Sequence, residues 1–209
     1  MPKQFQYYSP SETVSPRFQG PLYKLQCQHI IQSTGHRCRR FQIIGAGYCW
    51  KHLETDRHLK IGVSTVPNGG LGLFAFNGSR DNHEIVFSGP KRTQYGERRG
   101  DFITQYNGET LPRATIDRRY GEVNTAPYGA EINRQFIEDA ALLRSAGSLA
   151  NHKPHSQANA RLVSNGNSVR LEATKNIRND SEIFIDYGAE YDIGAEGTDY
   201  RHTTRYIRN

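Results

Sequence analysis

The chain predicts a mainly β, α+β fold with a small zinc-binding module at its N-terminus. Three observations carry that expectation. Only 35% of the residues are hydrophobic, while twelve tyrosines and twenty glycines stand out, a composition that suits twisted, loop-rich sheets better than a helical bundle. Short strand-like runs follow one another from residue 58 onward. All three cysteines fall in one window, spaced Cys27-x10-Cys38-x10-Cys49-x2-His52.

Residues 1–22 carry Pro2, Pro10, Pro16 and Pro21 among Ser, Gln and Tyr, the composition of an extended arm. Residues 23–55 form the cysteine window. Three thiolates and an imidazole complete a tetrahedral zinc shell, and Cys49-x2-His52 puts two ligands on one turn. Gly35, Gly45 and Gly47 supply tight turns in a segment with little hydrocarbon. Metal replaces the missing core energy, which for structural zinc reaches ~10–16 kcal/mol in finger peptides. His29 and His36 compete with His52 for the fourth position, and three reduced cysteines sitting singly in a core are the plain alternative. An odd cysteine count without a secretory leader speaks against a disulfide framework. Tyr48 and Trp50 are expected to pack around the metal.

Strands are expected at residues 59–63, 71–76, 84–88 and 101–106. Residues 115–120 read as a helical turn or a loop. Ile132, Phe136, Ile137, Ala140, Ala141 and Leu143 predict a short helix over residues 132–145. Asn165-Gly166 marks a turn between strands at 160–163 and 169–173. Ile183-Phe184-Ile185 forms one more buried strand, and residues 192–209 read as a basic, tyrosine-bearing tail that docks or stays mobile.

Four blocks stand in a fixed order: Gly70-Leu71-Gly72-Leu73-Phe74-Ala75, Tyr106-Asn107-Gly108-Glu109, Asn151-His152, and Glu182-Ile183-Phe184-Ile185-Asp186-Tyr187-Gly188. Together they resemble the SET-domain family of protein lysine methyltransferases, over a domain at 58–191. The resemblance implies small twisted antiparallel sheets around a knot-like crossing of the Asn151-His152 and Asp186-Tyr187 segments. It implies S-adenosylmethionine as cofactor, held by Gly70, Leu71, Gly72, Leu73, Asn151, His152 and Tyr187. It makes Tyr187 the central active-site tyrosine and Tyr106 a residue of the lysine channel or its hydroxyl network. Tyr191, Tyr200 and Tyr206 are weaker candidates for completing the channel. Read alone, Gly70-Leu71-Gly72 is equally a β-bulge or a hairpin turn.

The chain departs from the family where relatives read Asn-His-Ser-Cys-x-Pro-Asn. Lys153-Pro154-His155 follows the pair, Asn159 is the nearest late asparagine, and the cysteines of a C-terminal zinc cluster are absent. The expected function is methylation of a histone tail or another lysine-bearing protein. The alternative is an inactive SET-like module whose zinc segment recruits a protein or nucleic acid. A zinc hydrolase is disfavoured because a Cys3His shell is closed. The net charge of +6 favours an acidic or polyanionic partner. A basic lysine-bearing substrate then requires a local acidic groove, for which Glu131, Glu138, Asp139, Glu190, Asp192 and Glu196 are candidates. No run of some 18 apolar residues predicts a membrane span, and no secretory layout opens the chain, so a nuclear or cytoplasmic protein is expected.

Overall fold

The structure is a computed structural model that describes residues 26–42, 47–67, 69–120, 128–141 and 145–188. The arm at 1–22, the tail at 192–209, Gly45, Leu143, Tyr191, Glu190, Asp192 and Glu196 lie outside the described residues. Among the described residues no helix is long and apolar enough to cross a membrane.

Helix α1 (Trp50–Arg57) starts from the extended Cys49 and stops at His58, a left-handed residue whose N–H returns to the Leu53 carbonyl. That reversal launches β1 (Leu59–Val63), whose alternate residues Leu59 and Ile61 turn inward. β1 pairs antiparallel with β2 (Leu71–Ala75). The remaining strands are β3 (Ile85–Phe87), β4 (Lys91–Arg92), β5 (Arg98–Arg99), β6 (Phe102–Tyr106), β7 (Glu109–Pro112), β8 (Gly129–Glu131), β9 (Phe136–Asp139), β10 (Asn151–His152), β11 (Ala160–Ser164), β12 (Val169–Ala173), β13 (Ile177–Arg178) and β14 (Phe184–Ile185). They form small sheets: β11–β12–β6, β7–β9–β8, and the pairs β3–β13, β4–β5 and β10–β14. Only β10–β14 is parallel among these pairs. Leu59, Ile61, Leu73, Leu171, Ile183 and Ile185 meet in one apolar core. Each such side chain contributes about 1.5–3 kcal/mol relative to exposure.

Sequence patterning anticipated the mainly β fold and most strand positions. Residues 113–120 are a full helix, α2 (Arg113–Tyr120). The Asn165-Gly166 turn closes β11 on β12, with Gly166 left-handed at φ 87 and Asn165 Oδ1 accepting from the Asn167 and Ser168 N–H groups. The helix expected over 132–145 is not formed at the described residues 132–141. Residues 132–135 bend, β9 follows, and a 3-10 turn spans Ala146–Leu149. A tight turn takes its place: the Ile132 and Asn133 N–H groups both donate to Phe136 O, and Asn133 Oδ1 accepts from the Gln135 and Phe136 N–H groups. Along β9 only Phe136 is exposed, at 38%, while Ile137, Glu138 and Asp139 are buried, because β7 and β8 flank the strand.

Candidate functional site

Cys27, Cys38, Cys49 and His52 converge near the N-terminus of α1, all four buried, with ligand atoms within 4.8 Å of one another. His52 Nδ1 lies 3.3 Å from Cys27 Sγ and 3.4 Å from Cys49 Sγ. Ligand atoms about 2.0–2.3 Å from a central zinc ion fit this spread. Backbone bonds set the cradle: Cys27 N–H donates to Arg40 O, Cys38 N–H to His29 O, and Gln28 N–H to Gly47 O. Arg37 clamps it by donating to the carbonyls of Cys27 and Gln26. Burial, helped by nearby His29, pushes the His52 imidazolium down, which favours the neutral ring that ligates metals. Burial likewise pushes the Cys27 thiol up, so metal binding there displaces a proton.

The two rival histidines fall outside the cluster. His36 is exposed. His29 stacks on His52 at 3.6 Å and pairs with Asp56. Burial opposes the charge on Asp56, but its hydrogen bonds with His29 and Thr55 hold its carboxyl below the usual range. Tyr48 packs against both the cysteines and the domain core, whereas Trp50 packs against the domain core alone of the two. A cavity of about 410 Å³ beside the cluster is lined by His29, Arg40 and Lys51; its cationic wall does not suit a lysine substrate.

The second site forms where β10 lies parallel to β14, pairing Asn151 with Phe184 and His152 with Ile185. This register brings Tyr187 onto the Asn-His pair. Its N–H donates to His152 Nδ1 at 3.1 Å, its hydroxyl donates to the Ala150 carbonyl at 3.1 Å, and its ring tilts against His152. Because His152 Nδ1 accepts, the neutral ring carries its proton on Nε2. Asn151 Nδ2 donates to Leu71 O, tying the pair to the glycine-bearing strand. Gly70 is left-handed at φ 62, with open space where a side chain would project. Open backbone at Gly70 thus adjoins Leu71, whose carbonyl holds the half-buried Asn151 beside His152. Gly70, Leu71, Asn151, His152 and Tyr187 are therefore linked to one place, while Leu73 is a buried core residue.

Sequence reasoning quoted Glu182 but assigned it no role. It is buried at 5% exposure. Oε1 accepts from Ser64 Oγ (2.7 Å) and Asn151 Nδ2 (3.1 Å). Oε2 accepts from the Thr65 N–H and hydroxyl. One carboxylate thus holds the loop before Gly70, Asn151 and its own strand. Gly72 is glycine because any Cβ would overlap the Glu182 carboxylate. The available signal was a charged residue abutting a buried apolar strand. Asn159 acts similarly, accepting from Phe184 N–H and donating to Glu182 O. Lys153 lies over the Phe184 ring at 5.4 Å, which gives that residue a packing partner.

Tyr106 is buried in the core and its hydroxyl donates to the Tyr128 carbonyl at 2.8 Å. The expected acidic groove is corrected in part. Glu138 turns inward to the Gly108 N–H and Thr110, and Asp139 is fully buried against Arg119, leaving Glu131 exposed and paired with Arg113. Arg119 also holds Glu109, and these contacts outweigh burial to raise its pKa above the ordinary value.

The family model of the SET domain matches residues 97–188. This stretch contains the Asn-His pair, Glu182 and Tyr187; the β1–β2 hairpin and the Cys/His cluster precede it. No curated protein matches the chain.

Proposed function

We propose that this chain, which carries a SET domain, is an S-adenosylmethionine-dependent protein-lysine N-methyltransferase acting on a histone tail or another lysine-bearing protein. Lysine methyltransfer is the typical activity of the family. The observation that carries the reading is the parallel β10–β14 pairing, which sets Tyr187 against the Asn151-His152 pair. S-adenosylmethionine supplies a sulfonium-borne methyl for in-line displacement by an amine. Gly70, Leu71, Gly72, Asn151 and His152 would hold it, using open backbone at Gly70 and the outer edge of β10. Leu73 would act from below, as packing for that strand.

Tyr187 would line the transfer pore. Its hydroxyl donates to Ala150 O, which fixes where the phenolic oxygen sits, and such an oxygen accepts weak contacts of ~0.5–1 kcal/mol from a polarised methyl. Burial of the target lysine disfavours its ammonium form and frees the lone pair for attack. Tyr106 would buttress the channel wall. The Cys27, Cys38, Cys49 and His52 cluster would hold one structural zinc ion. A nuclear or cytoplasmic setting accords with such a substrate.

Calorimetric titration with S-adenosylmethionine and its demethylated product tests the reading. Stoichiometric binding that weakens in Asn151→Ala is expected. Tyr187→Phe should retain that binding and lose turnover by about two- to fivefold or more, the effect of removing one contact of ~0.5–1 kcal/mol. A folded, zinc-loaded chain that binds neither compound would favour the second reading, an inactive SET-like module. The observation on that side is Tyr106, whose hydroxyl is already engaged by Tyr128 O.

A further inference from the structure

Lys91-Arg92 and Arg98-Arg99 are separate dipeptides in the sequence, and the β4–β5 hairpin turns them into one feature. Lys91 stands directly opposite Arg99, and Arg92 opposite Arg98. Directly opposed residues share a face and neighbouring pairs take opposite faces. The ribbon therefore carries two cations on each of its two faces, all four exposed. Like charges directly opposed destabilise a hairpin, and one carboxylate offsets them: Glu97, 2.9 Å from Arg99. At the tip, Tyr95 is 84% exposed.

The hairpin is rigidly presented. Thr93 N–H donates to Glu97 O and Gly96 N–H to Thr93 O, closing the turn. At the stem, Asp101 N–H donates to Ser88 O, Ser88 N–H to the Asp101 carboxylate, and Gly89 N–H to Asn176 Oδ1. A Cβ at Gly89 would overlap the Lys175 backbone, and one at Gly100 would overlap the Ala173 carbonyl. A stem this close to the domain holds the ribbon in place before any partner arrives.

We infer that the β4–β5 hairpin is a duplex-DNA contact, inserted into the major groove with phosphates on both sides. A flat partner, whether an acidic protein or a membrane, would engage one cationic face and leave the other unused. The B-form major groove, roughly 12 Å wide, admits a two-stranded ribbon and offers phosphate walls to both faces at once. Tyr95 then reaches the groove floor. This inference is independent of methyl transfer and uses none of the residues of that site.

The test is fluorescence anisotropy of the full chain with a short labelled DNA duplex across a salt series. Lys91→Ala with Arg99→Ala removes one face, and Arg92→Ala with Arg98→Ala removes the other. Each double variant should weaken binding by about tenfold or more at low salt. The four-site variant should flatten the log–log salt dependence by about 3–4 units, at ~0.9 for each phosphate left unneutralised. An unchanged urea-unfolding midpoint shows that the variants fold. An effect confined to one face, duplex binding equal to wild type in the four-site variant, no binding by wild type at low salt, or equal competition by single-stranded DNA would each overturn the groove contact.

Discussion

Between residues 26 and 52 the chain closes around three sulfurs and a ring nitrogen, with little hydrocarbon beneath them. Between residues 59 and 185 it closes around a continuous apolar core, beside which both oxygens of the buried Glu182 accept hydrogen bonds. The first region presents a ligand set that fits one zinc ion. The second depends on area that the chain itself removes from water. The two should therefore come apart under different insults.

Chelation is the strongest way to separate them. Stripping zinc should expose the backbone amides of residues 26–42 to rapid hydrogen exchange while those of β6 and β12 stay protected. The loss is of the order of the ~10–16 kcal/mol that zinc supplies to finger peptides. Equal exchange in both regions would show that the module is not metal-held.

Within the domain, Arg119→Ala should cost about 3–5 kcal/mol in urea unfolding, because it leaves the buried carboxylates of Glu109 and Asp139 without their cation. Metal content should not change. Glu182→Gln should cost less, about 1.5–3 kcal/mol for charged hydrogen bonds, and should also weaken S-adenosylmethionine binding by loosening Ser64, Thr65 and Asn151. Stability lowered with binding intact would make Glu182 purely architectural.

Acid should act on the module first. The Cys27 thiol is pushed up by burial, so the metal-free module holds its proton at neutral pH and must release it to bind zinc. Zinc affinity thus rises with pH and falls on acidification, which a colorimetric zinc indicator would follow. The Asp56 contribution is smaller. Its carboxyl is depressed, so its stabilisation is complete above the ordinary aspartate range and fades only as pH falls through its lowered value. Asp56→Asn should therefore lower stability modestly near neutrality and make no difference once pH falls below that lowered value.

The sequence made local features legible. Leu59 and Ile61 alternate as a strand requires, the cysteine spacing marked the cluster, and Asn165-Gly166 marked its turn. What escaped was set by partners distant along the chain. At residues 132–141 the helix expected over 132–145 gave way to the turn at Asn133 and to two partner strands. Glu182 matters because Ser64 and Thr65, more than a hundred residues earlier, end beside it. The four-cation ribbon exists only once a turn brings two unremarkable dipeptides side by side.

In α1, neighbouring residues serve both regions: His52 faces the sulfurs while Leu53, at 1% exposure, belongs to the domain core. Trp50, two residues before His52, packs on the domain core as well, so the two regions interleave along α1 with no spacer to cut. A chain shortened to begin at residue 58 would keep every SET motif yet forfeit about 1.5–3 kcal/mol of Leu53 burial. Loss of metal would likewise be felt as a tug on the floor of the domain.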